Sequence, residues 1–326
     1  MYKNFYHLQR NPFEITPDPS FLFPTARHNE ALASLYYGVT SHRGFVVLTG
    51  EVGTGKTLML RSLLSLLQRR DVASALIFNP SLSPLEFIRY VAADFKLPVM
   101  GKAKDELIRV LNAFLLQRHQ RRLTTALVVD EAHHLSAELL EEIRLLTNLE
   151  TAQQKLLQIV LAGQPELDQK LDSPGLRQLK QRIALRCHLE ALDLEETRKY
   201  IARRLQIAGA PAESKMFSDP AISLVFRHSR GIPRLINTIC ENALLSGYSR
   251  LAEVITPDII KGIAEDLRLG IVTVSDRDSG EAPRLQHDQN ELLLAVRTLL
   301  DLHDRLNDKD KDTKMRSPLS NSVTWT

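Results

Sequence analysis

The chain of 326 residues is 44% hydrophobic and 25% charged, which is the composition of a soluble globular protein with one large or two smaller domains. Its 42 basic and 39 acidic residues leave a net charge of +3, an excess too small to indicate a nucleic-acid or membrane partner by itself. Neither a cleaved export signal nor a run of about 18 apolar residues is present, so we expect no membrane span and a cytoplasmic location. Cys187 and Cys240 have no second Cys or His at metal-binding spacing, and we interpret both as buried thiols in a reducing compartment.

The N-terminal segment, residues 1–25, is rich in aromatic residues and in prolines, which favour an extended strap. Two interpretations stay open. In one, the aromatic side chains cover the surface of the core. In the other, Asn11, Phe13 and their neighbours form part of an adenine pocket, because a flat base requires apolar and aromatic walls. A helix is predicted to follow, from Asn29 to about Ser41.

An apolar strand at residues 45–49 leads into a stretch with the G-x-x-x-x-G-K-[ST] spacing of a phosphate-binding loop: Gly50, Glu51, Val52, Gly53, Thr54, Gly55, Lys56 and Thr57. Glycines let the backbone N–H groups point into one hollow. The helix that follows, which includes Leu58, directs its positive N-terminal end at the same hollow. Lys56 is predicted to contact the β- and γ-phosphates of a nucleotide, and the Thr57 hydroxyl to bind Mg²⁺. A flexible turn with an incidental lysine is the alternative, but the leucines that follow recur at helical spacing.

A second strand is predicted at residues 75–78. One helix then begins at Ser83-Pro84, and another runs over residues 104–121. Arg118, Arg121 and Arg122 are clustered where this second helix ends. Positive charge there stabilises the helix dipole, and a nucleic-acid patch is the alternative interpretation.

The second informative stretch is an apolar strand at residues 126–129 that ends in Asp130 and Glu131, which is the Walker B pattern. In P-loop enzymes an aspartate at this position holds Mg²⁺ and a following glutamate orients and polarises the attacking water. Asp130 is therefore the candidate metal ligand and Glu131 the candidate catalytic base. His133 and His134 come next. Because neighbouring histidines on a helix diverge, we expect them to be polar residues at a helix start and not a metal site.

A fourth strand at residues 157–162 runs into Gly163-Gln164-Pro165-Glu166-Leu167. A polar side chain at this end of the sheet lies beside the γ-phosphate, so Gln164 is our candidate there. A basic segment with Arg177, Arg182 and Arg186 then leads into a fifth strand. These arginines are either a solvated face or include an arginine finger that enters the site of a neighbouring subunit.

The pattern beyond Leu192 is helical, with predicted helices at residues 194–208, 219–229, 233–249 and 256–267. Together they predict a small lid over residues 193–269, from which Arg234 is a candidate phosphate contact. Residues 270–326 are predicted to be a polar linker, a short amphipathic helix and a disordered tail.

These features resemble the AAA+ ATPases, and within them the ATPase domain of the general secretion pathway A component. The resemblance covers residues 1–269 and rests on the phosphate-binding loop together with MYKNFY at 1–6, NPFE at 11–14, TPDP at 16–19, GQPEL at 163–167 and GIPR at 231–234. It implies a P-loop α/β core over residues 26–192 with a parallel five-stranded sheet in the order 5-1-4-3-2, a C-terminal helical lid, and a ring-like homo-oligomer with ATP between subunits.

The resemblance also implies a role for each candidate residue: Lys56 and Thr57 bind phosphate and Mg²⁺, Asp130 binds Mg²⁺, Glu131 is the catalytic base, Gln164 is sensor 1 and Arg234 is sensor 2. Arg182 fits the arginine finger best because it immediately precedes the last strand. Arg177 and Arg186 remain alternatives.

The expected function is hydrolysis of Mg-ATP to remodel a partner protein, in an envelope secretion system or one of the exopolysaccharide or exosortase type. The protein is then cytoplasmic, free or peripheral at the inner membrane through that partner. A DNA-binding ATPase of the transposition-helper type is the alternative, and salt-dependent binding of duplex DNA distinguishes it. A nucleotide kinase shares the phosphate-binding loop, but the Asp130-Glu131 pair and the helical lid argue against it.

Overall fold

A computed structural model describes residues 2–14, 21, 23–78, 82–152, 154–211 and 215–269. The predicted linker, amphipathic helix and tail at residues 270–326 lie outside these described residues. Within the described residues, no helix is long and apolar enough to cross a membrane.

Five parallel strands form one sheet in the order β2-β3-β4-β1-β5, which confirms the predicted order 5-1-4-3-2 counted from the other edge. The strands are β1 Phe45–Gly50, β2 Ala73–Ile77, β3 Thr125–Val129, β4 Gln158–Gly163 and β5 Ile183–Leu189. The central strands β3, β4 and β1 are buried along their whole length, as expected of continuous apolar runs covered by helices on both faces.

Among the described residues, eight helices precede or separate the strands: α1 Tyr2–Phe5, α2 Ala26–Thr40, α3 Lys56–Gln68, α4 Pro84–Asp94, α5 Lys104–Gln120, α6 Ala137–Leu146, α7 Glu166–Leu171 and α8 Arg177–Lys180. The 3₁₀ turns Ala132–His134 and Pro174–Leu176 also lie between strands. The lid that follows has four helices: α9 Leu194–Ile207, α10 Asp219–Ser229, α11 Pro233–Ser249 and α12 Pro257–Asp266.

Alternate residues of β1 enter separate hydrophobic cores on the two faces of the sheet, as the period of two in a strand requires. Phe45 and Val47 belong to a core shared with α4, α5 and α6. Val46 and Leu48 belong to a core shared with α2 and α3. Because all five strands are parallel, their carboxyl ends meet at one edge, and the loops that follow β1, β3 and β4 lie together there.

The predicted helix starts are confirmed where capping residues mark them. Ser83 and Glu86 form a reciprocal capping box at the start of α4, and Asp193 and Glu196 form another at the start of α9. Each box satisfies backbone N–H groups that have no partner inside the helix. Helix α9 is therefore capped at the residue that its sequence pattern indicates.

The N-terminal strap begins with the short helix α1, so the prediction of an extended chain is wrong at residues 2–5. Its aromatic side chains account for the difference, because they pack into the hydrophobic core of the lid. The Tyr2 hydroxyl donates to a carboxylate oxygen of Glu241 at 2.8 Å, and the Tyr6 hydroxyl donates to the Ala252 carbonyl at 2.8 Å. Burying these rings stabilises a helical turn that no local pattern indicates.

Candidate nucleotide-binding site

The phosphate-binding loop connects the end of β1 to the start of α3, as its sequence predicts. Gly53 and Gly55 have φ angles of 84° and 105°, which favour glycine because a side chain strains this left-handed backbone. Gly50 is required for a different reason, since a Cβ there would lie 2.7 Å from the Leu189 carbonyl oxygen. The loop thus has the curled backbone that directs N–H groups into one hollow.

Lys56 folds back over this loop. Its Nζ donates to the carbonyl oxygens of Gly50 at 2.7 Å and Glu51 at 3.0 Å, and the residue is only 6% exposed. Burial lowers the pKa of Lys56 from its ordinary value, while the carboxylates of Glu131 and Asp130 act in the opposite direction. The ammonium group therefore lies beside the loop and close to the two acids that follow β3.

The Thr57 hydroxyl donates to Oδ2 of Asp130 at 2.7 Å, which joins the first turn of α3 to the end of β3. The other carboxylate oxygen, Oδ1, accepts from the backbone N–H of Glu131 at 2.9 Å. Asp130 is buried, whereas the side chain of Glu131 is 45% exposed. A hydroxyl and a carboxylate both offer hard oxygen atoms, and Mg²⁺ prefers such oxygen ligands.

Gln164 and His133 lie beside this pair. The side-chain nitrogen of Gln164 is 2.8 Å from Nε2 of His133, and Nδ1 of His133 is 3.5 Å from Oε2 of Glu131. Gln164 is thus connected to the candidate base through a histidine, a contact that sequence reasoning missed. The predicted divergence of the two histidines is wrong, because they occupy a 3₁₀ turn and their ring centroids are 4.0 Å apart.

Ligand atoms of Glu131, His133 and His134 lie within 4.8 Å of one another, a spacing at which a metal ion can be bound. Both ring nitrogens of His133, however, face the side chain or backbone of Gln164. A metal ion here would have to displace those contacts. Of the three residues, Glu131 lines the cleft described below, and His134 is exposed.

The lid closes the site from the other side. A cleft of about 450 Å³ lies between the phosphate-binding loop and the lid. Arg234 lines the cleft, and its backbone N–H donates to the Gly53 carbonyl at 3.2 Å. The loop side is lined by Val52, Gly53, Gly55, Lys56, Thr57 and Leu58, and Glu131 lies at the same cleft.

The strap contributes Glu14 and Phe21 to this cleft. Phe13 is fully buried and packs against Phe217 in the lid, at a ring-centroid distance of 6.0 Å, so it has no surface left for a base. Asn11 is half-buried and is also not among the lining residues. The aromatic residue that the strap presents to the cleft is therefore Phe21.

A buried network in the lid holds this part of the strap, and sequence reasoning missed it. The guanidinium of Arg204 donates to the carbonyls of Pro12 at 2.5 Å and Glu14 at 3.2 Å, and it lies 4.4 Å from the centroid of the Phe21 ring. It also donates to the Tyr200 hydroxyl at 2.7 Å. That hydroxyl donates to the side-chain oxygen of Asn237 at 2.9 Å. Tyr200, Arg204 and Asn237 all line the cleft.

The three candidate arginine fingers differ in their surroundings. Arg182 is half-buried and donates to the Thr147 hydroxyl and to the Arg144 carbonyl. Arg186 forms ion pairs with Asp168 and Asp172. The side chain of Arg177 is exposed and makes no hydrogen bond or ion pair with the residues that the structure describes.

Comparison with known proteins identifies the family of this fold and site. The model of the AAA domain family matches residues 39–171. General secretion pathway protein A of Aeromonas hydrophila is 45% identical over 251 residues, which are 77% of this chain and 45% of that protein. The chain therefore spans less than half the length of this relative.

Solved structures support the fold at low sequence identity. The ORC2 protein of Aeropyrum pernix, in its ADPNP and ADP complexes, superposes with a TM-score of 0.58 at 15% sequence identity. The superposed part is 79% of this chain and 72% of the ORC2 chain. Drosophila ORC bound to DNA superposes with a TM-score of 0.59 at 18% sequence identity, over 82% of this chain and 66% of the ORC chain. With the phosphate-binding loop, the two acids after β3 and the strand order, the chain is therefore an AAA+ ATPase that resembles General secretion pathway protein A.

Proposed function

We propose that this protein binds Mg-ATP in the cleft between the phosphate-binding loop and the lid, and hydrolyses it to ADP and phosphate. The observation that carries the proposal is the hydrogen bond between Thr57 and Asp130, because it joins two hard oxygen ligands at the start of the phosphate-binding helix. Bound Mg²⁺ would be held by these two residues and would neutralise charge on the phosphates.

Three further roles follow from a position in the cleft. Lys56 binds the β- and γ-phosphates, Glu131 orients and polarises the attacking water, and Arg234 contacts phosphate from the lid. Gln164 does not line the cleft but contacts His133 beside Glu131, and its proposed role is to contact the γ-phosphate as sensor 1. Glu131 suits its role because its side chain is half-exposed to the cleft while its backbone is tied to Asp130.

The base of the nucleotide is proposed to lie against Phe21 and the lid residues Tyr200 and Asn237. The Tyr200 hydroxyl donates to the Asn237 oxygen, so the Asn237 amide nitrogen is left to donate into the cleft. Purine ring nitrogens accept such a bond. This assignment replaces Phe13 with Phe21 as the aromatic contact, whereas Asn11 remains a more distant part of the strap.

The biological role is proposed from the named relative. Because this relative is a general secretion pathway protein, we propose that hydrolysis remodels a partner in an envelope export or assembly system, including exopolysaccharide or exosortase systems. The protein then acts in the cytoplasm, or at the inner membrane through that partner. A ring-like homo-oligomer is part of the proposal, with Arg182 as the finger that acts on the neighbouring subunit.

The test is phosphate release by the purified full chain with ATP and Mg²⁺. Lys56→Ala is expected to abolish ATP binding, and Glu131→Gln to retain ATP binding but lose at least about 100-fold in hydrolysis. Glu150→Gln is a matched control, because Glu150 is exposed and paired with Lys155. Normal hydrolysis by Glu131→Gln contradicts the assigned base, and absence of ATP binding by the native chain contradicts the proposal as a whole.

A group of four exposed arginines is the observation that supports the DNA-binding alternative. These arginines lie in the loops before the paired strands β2 and β3: Arg69, Arg70, Arg121 and Arg122. Their side chains make no hydrogen bond or ion pair with the described residues. Arg118, an earlier candidate, instead donates to two backbone carbonyls that join these loops.

Fluorescence anisotropy with labelled duplex DNA, at two salt concentrations, distinguishes this alternative. Binding that weakens as salt rises, and that is lost when Arg121 and Arg122 are both replaced by Ala, supports it. Binding that is absent at low salt rejects it.

A further inference from the structure

His133 lies between two side chains that have separate roles in the proposed mechanism. Its Nε2 is 2.8 Å from the amide nitrogen of Gln164, and its Nδ1 is 3.5 Å from Oε2 of Glu131. The His133 side chain is 8% exposed, whereas the Glu131 side chain is 45% exposed. A single imidazole therefore separates the candidate base from the candidate γ-phosphate contact.

The backbone fixes the position of this ring from both sides. A Cβ at Gly163 would lie 3.1 Å from the backbone nitrogen of His133, so the glycine allows the 3₁₀ turn to approach the end of β4 closely. From the other side, Nζ of Lys170 donates to the carbonyls of His133 at 2.6 Å and Leu135 at 2.8 Å. The location of His133 is thus a property of the fold and not of one side-chain rotamer.

We propose that His133 is a positioning residue that couples the orientation of the Gln164 amide to the carboxylate of Glu131. This inference rests on the proposed function, in which Glu131 orients water and Gln164 contacts the γ-phosphate. The coupling arises because a neutral imidazole has one donor nitrogen and one acceptor nitrogen. If one nitrogen accepts a hydrogen bond, the other must carry the proton and can only donate.

Two tautomers of His133 are in competition. When the Gln164 amide nitrogen donates to Nε2, as it is placed here, the ring proton is on Nδ1 and faces Glu131. The backbone N–H of Gln164, 3.4 Å from Nδ1, favours the opposite tautomer with the proton on Nε2. In that tautomer the Gln164 side chain must turn its amide oxygen to the ring, and Glu131 loses its donor.

A γ-phosphate favours the second tautomer. Phosphate oxygens accept hydrogen bonds and do not donate them, so Gln164 must turn its N–H groups toward the nucleotide. Its amide oxygen then faces Nε2. One proton leaves Nδ1 and one is added at Nε2, so the charge of the ring is unchanged. Glu131 is released to orient water only when a triphosphate is bound.

The surroundings of His133 keep it in the neutral form that this coupling requires. Burial lowers the pKa of His133 from its ordinary value, and His134 and Lys56 act in the same direction. The carboxylates of Glu131 and Glu166 oppose them. The positively charged Lys170 contacts the turn through the backbone carbonyls of His133 and Leu135.

Steady-state kinetics test the coupling in the full chain. His133→Ala is expected to lower kcat about 10- to 100-fold and to change the affinity for ATP less than twofold, because it misplaces groups without removing a binding contact. The double variant His133→Ala/Gln164→Ala is expected to be no slower than the slower single variant. Multiplied losses in the double variant, or an equal loss in the exposed neighbour control His134→Ala, overturn the proposal.

Nitrogen-15 magnetic resonance of labelled histidine gives a readout that does not require hydrolysis. The His133 signals, assigned by their loss in His133→Ala, are expected to show the proton on Nδ1 without nucleotide and on Nε2 with a non-hydrolysable ATP analogue and Mg²⁺, but not with ADP. Gln164→Ala is expected to favour the Nε2 proton without nucleotide. The same tautomer in the native chain and in Gln164→Ala overturns the coupling even if ATP is hydrolysed. A change only on Gln164→Ala supports the coupling while rejecting ATP as the ligand.

Discussion

The backbone N–H of Arg234 donates a hydrogen bond to the carbonyl oxygen of Gly53, across 3.2 Å. This bond connects the first turn of lid helix α11 directly to the phosphate-binding loop. The approach is close, because a Cβ added at Gly53 would lie 2.6 Å from the Cβ of Arg234. The position of the lid and the shape of the loop are therefore fixed together.

Gly53→Ala is expected to weaken ATP binding by at least about tenfold, which corresponds to about 1.4 kcal/mol. The added methyl group meets Arg234, and the φ angle of 84° adds backbone strain. Isothermal titration calorimetry measures the affinity. Gly175→Ala is the control, because a Cβ there has no neighbour within 4 Å. Unchanged affinity in Gly53→Ala contradicts the close contact between loop and lid.

Replacement of the true arginine finger is expected to reduce hydrolysis by about 10³-fold while ATP binding is retained. Arg182→Ala is the variant in which we expect this loss, and Arg177→Ala and Arg186→Ala are compared under the same conditions. Mixing Arg182→Ala with Glu131→Gln subunits is the sharper experiment. Each inactive variant supplies the group that the other lacks, so activity that returns on mixing shows that the arginine acts between subunits. If mixing restores no activity, Arg182 acts on the site of its own subunit and the proposed role between subunits is wrong.

Gly262→Ala is expected to raise the free energy of unfolding by about 0.5–1 kcal/mol. Gly262 lies inside α12, and a Cβ there has no neighbour within 4 Å, so alanine restricts the unfolded chain without a clash. Urea denaturation followed by circular dichroism measures the change. A lower midpoint in the variant shows that this part of α12 is not a regular helix in solution.

Stability is expected to fall as the pH is lowered below about 6.5, the ordinary pKa of histidine. Burial lowers the pKa of His28 below this value in the folded chain, so the unfolded chain binds the proton more readily. The stabilisation is complete above pH 6.5 and is lost as the pH falls toward the lowered pKa. Urea midpoints measured between pH 7.5 and 5.5 test this, because the pH dependence is expected to be smaller in His28→Gln. An equal dependence in both chains assigns it to other groups.

Local patterns predicted most of the fold because their physical causes are local. The phosphate-binding loop requires glycines at fixed spacing, and α9 begins directly after its N-cap Asp193, where a capping box marks the start. The strand order followed from resemblance to a family and was confirmed. The roles assigned to the site residues remain predictions.

The parts that the sequence did not predict depend on contacts between distant residues. Helix α1 exists because Tyr2 and Tyr6 pack against lid residues more than 200 positions away. Phe21 faces the cleft because Arg204 holds the strap, and no motif contains this pair. The local pattern at His133 predicts an α-helix start, whereas the left-handed backbone of Glu131 directs the chain into a 3₁₀ turn.

The packing of the strap into the lid also constrains the order in which the chain folds. Tyr2, Tyr6 and Phe13 belong to the same hydrophobic core as Ile260, so this core joins nearly the first and last described residues. During synthesis the ribosome releases the strap first and α12 last among these elements, so the strap aromatics have no partner until the lid helices emerge. The core around the parallel sheet lacks this dependence, and it is the part of the molecule that can form while the chain is still being made.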